Sequence, residues 1–178
     1  MDRATTAGQA PAVKILPITL AAVALLAPAA SAKTSVPADI QPPAGHKQFF
    51  EAHAIGVQIY ACNGTAWTLS GPRANLYHGR RFVASHFAGP TWMHADGSHV
   101  VASLVKPFPV AGTIPWLLLS ATANGTGPYG DRFAGVTYIQ RIKTTGGVAP
   151  ALPCIAGKVA EVPYTADYRF FKASKRRA

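Results

Sequence analysis

Phe49 to Cys62 reads FFEAHAIGVQIYAC, and its alternation decides the fold. Successive side chains of an extended chain point to opposite faces, so Ile55, Val57 and Ile59 share one side while Gly56, Gln58 and Tyr60 take the other. β-Branched and aromatic residues crowd the segment, which suits a pleated surface. Asn63-Gly64 follows at once, a pair that readily accepts the positive φ of a tight hairpin turn. The chain is therefore predicted to double back here as a second strand.

The same pattern repeats outward from this segment. Trp67 to Tyr77 predicts a strand broken by Gly71-Pro72. Arg81 to Phe87 alternates, with Phe82, Ala84 and His86 opposed to Arg81, Val83, Ser85 and Phe87. Gly89-Pro90 stops it, and Ala88 to His94 (AGPTWMH) reads as a loop. Asp96-Gly97-Ser98 is a turn signal that feeds a strand over His99 to Val105. Lys106 to Pro115 carries three prolines and a glycine, which predicts a loop or an edge. Trp116 to Ala123 (WLLLSATA) is almost continuously apolar, as expected of a strand buried on both faces. Gly135 to Thr145 alternates again, setting Val136, Tyr138, Gln140 and Ile142 against Thr137, Ile139, Arg141 and Lys143. Val159 to Lys172 is the last candidate strand. Prolines and glycines interrupt every segment before the ~10–12 residues that a helix needs. The expected fold is all-β: an antiparallel β-sandwich or barrel, single domain, over residues 47–173.

Ahead of that domain, residues 33–46 (KTSVPADIQPPAGH) read as a proline-rich, extended lead-in. Ile15 to Ala32 is an apolar run preceded by Arg3 and Lys14 and closed by Ala30-Ser31-Ala32, the pattern of a removable export signal over residues 1–32. The run is shorter than the roughly 20 residues of a spanning helix and is interrupted by Pro17 and Pro28. The expected address is periplasmic or extracellular, with no transmembrane segment once the signal is removed.

An oxidising compartment governs the reading of the cysteines and of the charge. Cys62 and Cys154 are the chain's two cysteines, and there they are most simply one disulfide. Closing a loop of some 90 residues stabilises by about 4 kcal/mol in the chain-entropy description. The formal charge is +10; without Asp2, Arg3 and Lys14 the 17 basic and 7 acidic residues become 15 and 6, or +9. Lys172, Lys175, Arg176 and Arg177 concentrate part of this charge near the C-terminus, which ends in a basic tail over residues 174–178. Such a tail suits contact with an anionic envelope polymer. Nucleic acid is excluded as a partner, because there is no concentrated basic stripe with interleaved aromatics.

Candidate site residues come from the aromatics and histidines. Trp92, with Tyr77 and His94, is the candidate ligand-binding set, because an aromatic face in a loop can stack on a sugar ring while a polar edge stays wet. All six histidines lie from His46 to His99, and none follows. If Arg81–Phe87 and the strand after Asp96-Gly97 pair as a hairpin, His86, His94 and His99 would converge as ligands for zinc or copper. No resident cofactor is otherwise indicated. No serine lies in a G-x-S-x-G elbow, and the few carboxylates show no pairing by spacing, so catalytic residues are unassigned. Asn63-Gly64-Thr65 and Asn124-Gly125-Thr126 fit both glycosylation sequons and plain Asn-Gly turns. These readings favour a non-catalytic module for a polysaccharide or other envelope component. The alternative is a metal-binding protein or metal-dependent enzyme built on the histidines.

Several blocks taken together carry a resemblance. GHKQFFEAHAIGVQIYAC, the Pro72-Arg73-Ala74-x-Leu76-Tyr77 block, HFAGPTW with DGS, IPWLLLSA, GVTYIQRIKTTGG and VPYTADYRFF occur in order across nearly the whole chain after the signal. In this the chain resembles a family of secreted bacterial and fungal proteins known as a domain of unknown function. The resemblance implies one intact domain and a Cys62–Cys154 pairing, and it transfers no catalytic residue. Some fungal relatives bear a malate dehydrogenase label. That label does not suit a chain with no G-x-G-x-x-G after a strand and no βαβ alternation.

Overall fold

The computed structural model of the protein describes residue 1 and residues 35–174. The expected export signal, and the basic tail beyond Ser174, lie outside the described residues. From Ser35 onward the described chain is one compact unit.

Eight strands run in chain order around a closed antiparallel barrel: β1 (His46–Cys62), β2 (Trp67–His78), β3 (Arg81–Phe87), β4 (Thr91–His94), β5 (His99–Phe108), β6 (Trp116–Gly125), β7 (Val136–Gly146) and β8 (Val159–Ala173). β8 returns to pair with β1 and closes the barrel, so the all-β expectation resolves to a barrel with no free sheet edge. Three local expectations are corrected. β2 is continuous through Gly71-Pro72, because a register shift opposite Ile59 and Tyr60 absorbs the irregularity. β5 passes through Pro107 to Phe108, next to another register shift between Leu104 and Lys106. Thr91–His94 is strand β4, not loop. The Thr91 hydroxyl donates to the Gly89 carbonyl (2.7 Å) and closes a short turn, so pairing resumes directly after Pro90.

The faces of β1 decide what fills the barrel. Ile55 points outward and is 55 % exposed, whereas Ala52, Ala54, Gly56 and Gln58 face in. A Cβ on Gly56 would lie 2.2 Å from the Arg73 carbonyl oxygen and 2.5 Å from the Ala74 Cα, so β1 and β2 approach more closely there than any side chain permits. Small inward residues (Ala52, Ala54, Ala74, Ala84, Ala102 and Ala166) keep the middle narrow. One end is plugged by aromatics: Phe133, from the loop after β6, stacks on Phe170 at 4.5 Å and meets Phe50 at 6.0 Å. A latch holds that plug. Ser98 Oγ donates to Asp96 Oδ1 (2.6 Å) and accepts from the Phe133 amide (2.9 Å), while the Arg132 amide donates to Asp96 Oδ2 (3.0 Å).

The opposite end carries the Cys62–Cys154 disulfide, which ties the end of β1 to the 147–158 loop across a separation of 92 residues. Outside the barrel, residues 35–42 are more than an extended lead-in. They form a short 3-10 turn (Ala38–Ile40) that lays Ile40 against Trp116, Leu118 and Ile142. Gln140 donates through Nε2 to the Ile40 carbonyl (2.6 Å) and fixes the cover in place. β6 is thereby buried on both faces, with Leu119 inside and Leu118 beneath the cover.

Candidate functional site

Two concavities flank the aromatic plug. At the latch end an open cleft of about 390 Å³ is lined by His78, Arg81, His94, Asp96, Asp131 and Arg132 among others. Its central groups are committed to each other: Asp96 meets His94 Nδ1 (3.0 Å) as well as the latch. At the disulfide end a cavity of about 150 Å³ enters the barrel interior. Gln58 on β1, His86 on β3, Trp92 on β4, Leu117 and Leu119 on β6, Arg141 on β7 and Tyr168 on β8 line it. Register explains the convergence. Gln58 pairs with Pro72, His86 with Trp92, Leu117 with Arg141 and Arg141 with Tyr168, so inward positions of neighbouring strands adjoin around the wall.

Within this cavity His86 lies against Trp92, rings parallel within 5° and 4.2 Å apart, and Tyr168 meets both edge-on. His86 Nδ1 is 2.9 Å from the Thr91 carbonyl, which can only accept, so Nδ1 carries the proton. Burial pushes the imidazole down to about 3, the Thr91 bond opposes this and the Arg141 charge adds to it. His86 is therefore neutral at neutral pH. Burial likewise raises the hydroxyls of Tyr164 and Tyr168, with the Arg141 charge partly offsetting it, so both stay protonated.

The polar atoms here are unusual for an interior. Gln58 Nε2, Trp92 Nε1 and the Tyr168 hydroxyl are buried in this lining without a well-formed hydrogen bond in the protein, although Tyr168 has Tyr164 and Arg141 beside it. Trp116 Nε1 and the Tyr164 hydroxyl, outside the lining, are also buried without one. Buried donors are generally satisfied, and each unmade bond costs about 1–3 kcal/mol. Arg141 donates through Nε and Nη2 to a single acceptor, the Pro115 carbonyl (3.1 and 2.9 Å). No carboxylate lies within ion-pairing distance of it among the described residues.

The sequence-derived candidates distribute unevenly over these places. Trp92 does line the cavity, but as a core residue 1 % exposed, with one ring face covered by His86. His94 faces the plug instead, edge-on to Phe50 and Phe133. Tyr77 sits on the outer surface beside Phe82, in a shallow groove with His53 and Asp167. The expected hairpin between β3 and β5 does not form, because β4 intervenes. His86 and His94 point inward while His99 pairs opposite Met93 on the outer face, so the three imidazoles are not brought together. Among the described residues no group of three or more His, Cys, Asp or Glu side chains is arranged to hold a metal ion. Gln58, Arg141 and Tyr168 were missed by sequence reasoning. The available signal was Arg141 sharing a strand face with Ile139.

Residues 78–172 match the sequence model of the family described as "Protein of unknown function (DUF3455)". The matched segment runs from the last residue of β2 into β8 and contains His86, Trp92, Arg141 and Tyr168, with Gln58 ahead of it. No curated protein and no solved structure matches the chain.

Proposed function

We propose, for a chain that belongs to the DUF3455 family of proteins of unknown function, that the domain is a non-catalytic binding barrel whose site is the interior cavity at the disulfide end. The observation that carries the reading is the coincidence of that cavity with interior donors that lack a well-formed hydrogen bond in the protein. An eight-stranded barrel is wide enough to hold side chains or one small ligand. A ligand that accepts from Gln58, Trp92 and Tyr168 would remove desolvation penalties now borne by the fold.

The lining favours holding over transforming. His86 is neutral and already engaged, Tyr168 is protonated, and neither carboxylate nor thiol lines the cavity among the described residues. A cavity of this size suits a small molecule better than a polysaccharide chain. Trp92, buried under His86, is also poorly placed as an exposed sugar platform. Export to the periplasm or beyond remains part of the proposal. The Cys62–Cys154 disulfide supports it, and no described helix is long and apolar enough to cross a membrane.

Ligand-observed NMR with a diverse set of small organic molecules tests the reading. Binding should weaken when the cavity is filled by Leu119→Trp or, at its edge, by Leu117→Phe. Hits that bind the filled variants as well as the parent, or no hits at all, would sink it.

A further inference from the structure

We propose that this cavity takes a small organic monocarboxylate with an apolar body of about benzene's size, its carboxylate held by Arg141 together with the donors of Gln58, Trp92 and Tyr168. The inference rests on the binding reading above and adds the sign and size of the ligand.

Charge comes first. Arg141 is cationic, partly buried and bonded to a neutral carbonyl, with the Tyr168 hydroxyl beside it and no carboxylate within ion-pairing distance among the described residues. A cation removed from water without a counter-ion is costly, and a guanidinium matches the two oxygens of a carboxylate in one plane. His86, the other ionisable nitrogen of the lining, is neutral with its proton on Nδ1, so Arg141 supplies the positive charge among the lining residues.

Donor polarity points the same way. Gln58 Nε2 and Trp92 Nε1 can only donate, and the Tyr168 hydroxyl, whose oxygen faces the Arg141 donors, keeps a proton to donate. An ionised carboxylate only accepts, with about four lone-pair directions, so this set suits it better than an alcohol, an amide or an amine. Size and apolar surface complete the argument. Leu117, Leu119, Pro72 and the Trp92 ring surround about 150 Å³. An apolar cavity of about that volume is known to accommodate benzene.

Calorimetry on the full chain with benzoate, benzamide, benzyl alcohol and benzylamine as probes separates the two levels of the argument. Benzoate should bind at least about tenfold more tightly than its neutral isosteres, and benzylamine should bind most weakly. Arg141→Met should abolish the preference for benzoate while leaving benzyl alcohol within about threefold of the parent. Gln58→Met, which leaves the guanidinium in place, should reduce the preference in part, and circular dichroism should show both variants folded. Neutral probes that match or exceed benzoate would overturn the carboxylate assignment and leave the binding barrel standing. No binding of any probe at millimolar concentration would overturn both.

Discussion

His86 and Trp92 pair directly across β3 and β4 and stack with planes 5° apart, forming one wall of the cavity that enters the barrel. The stack has a consequence for pH dependence. In the unfolded chain His86 titrates near its ordinary 6.5, but in the fold burial holds it near 3, with the Thr91 bond opposing the shift and the Arg141 charge reinforcing it. Between those values the unfolded state binds the extra proton, so stability is complete above about pH 6.5 and falls as the pH drops toward 3. Denaturant titrations at pH 7 and pH 4.5 should show the loss, about 2 kcal/mol or more. His86→Phe, which keeps the stack without the titrating group, should flatten it. A parent protein equally stable at both pH values would contradict the burial of a neutral imidazole. Asp96 and Asp167 act lower: hydrogen bonds hold both carboxyls below their ordinary 3.8 despite burial, so their contribution fades only below about pH 4.

Ser98 is completely buried and joins Asp96 to the loop that carries Phe133. Ser98→Ala would leave the Phe133 amide without its acceptor inside the protein. The expected cost is about 1–3 kcal/mol. Hydrogen exchange at the Phe133 amide should accelerate by more than the global loss of stability explains, because the plug loses its tie first. Unchanged exchange at Phe133 would mean that Phe133–Phe170 packing alone holds the loop.

The strand pattern was legible because period-two alternation and Gly/Pro punctuation are local signals. Asn63-Gly64, Asp96-Gly97 and Gly146-Gly147 each mark a place where a strand ends or a turn begins. β4 was not legible: four residues between two turns are too few to show a period, and only closure of the barrel makes them a strand. Nor does hydrophobicity assign the faces of β1. Branched aliphatics belong on either face of a strand, and here Ile55 lies outside while Gly56 and Gln58 lie inside, since the inner space admits little bulk. The candidate site depends on register across strands β1, β2, β3, β4, β6, β7 and β8, a long-range property that one chain read in order does not display.

Ile40 tests whether the segment ahead of β1 is part of the domain. It is fully buried against Trp116, Leu118 and Ile142 on the outer face of the barrel. Ile40→Ala should cost about 2–4 kcal/mol, in the range of large-to-small changes at buried sites. Ile40→Asp should do worse and shift tryptophan emission to the red as Trp116 meets water. A neutral Ile40→Ala would reduce the segment to a loosely attached strap.

Gly56 sets the bore of the barrel beside the candidate cavity. Its absent side chain would collide with backbone atoms, the Arg73 oxygen at 2.2 Å and the Ala74 Cα at 2.5 Å, which cannot rotate away as a side chain can. Gly56→Ala must therefore part β1 from β2, and the same residue also faces Tyr164 across the β1–β8 pair. The expected loss is about 2–3 kcal/mol or more, at the upper end of overpacking costs. The displacement should also reach Gln58, two residues on along the same inner face. Binding of a cavity ligand should weaken in Gly56→Ala at temperatures where the variant is still fully folded, as followed by calorimetry beside circular dichroism. Stability equal to that of the parent would show that the strands separate at no cost, and that the bore is set elsewhere.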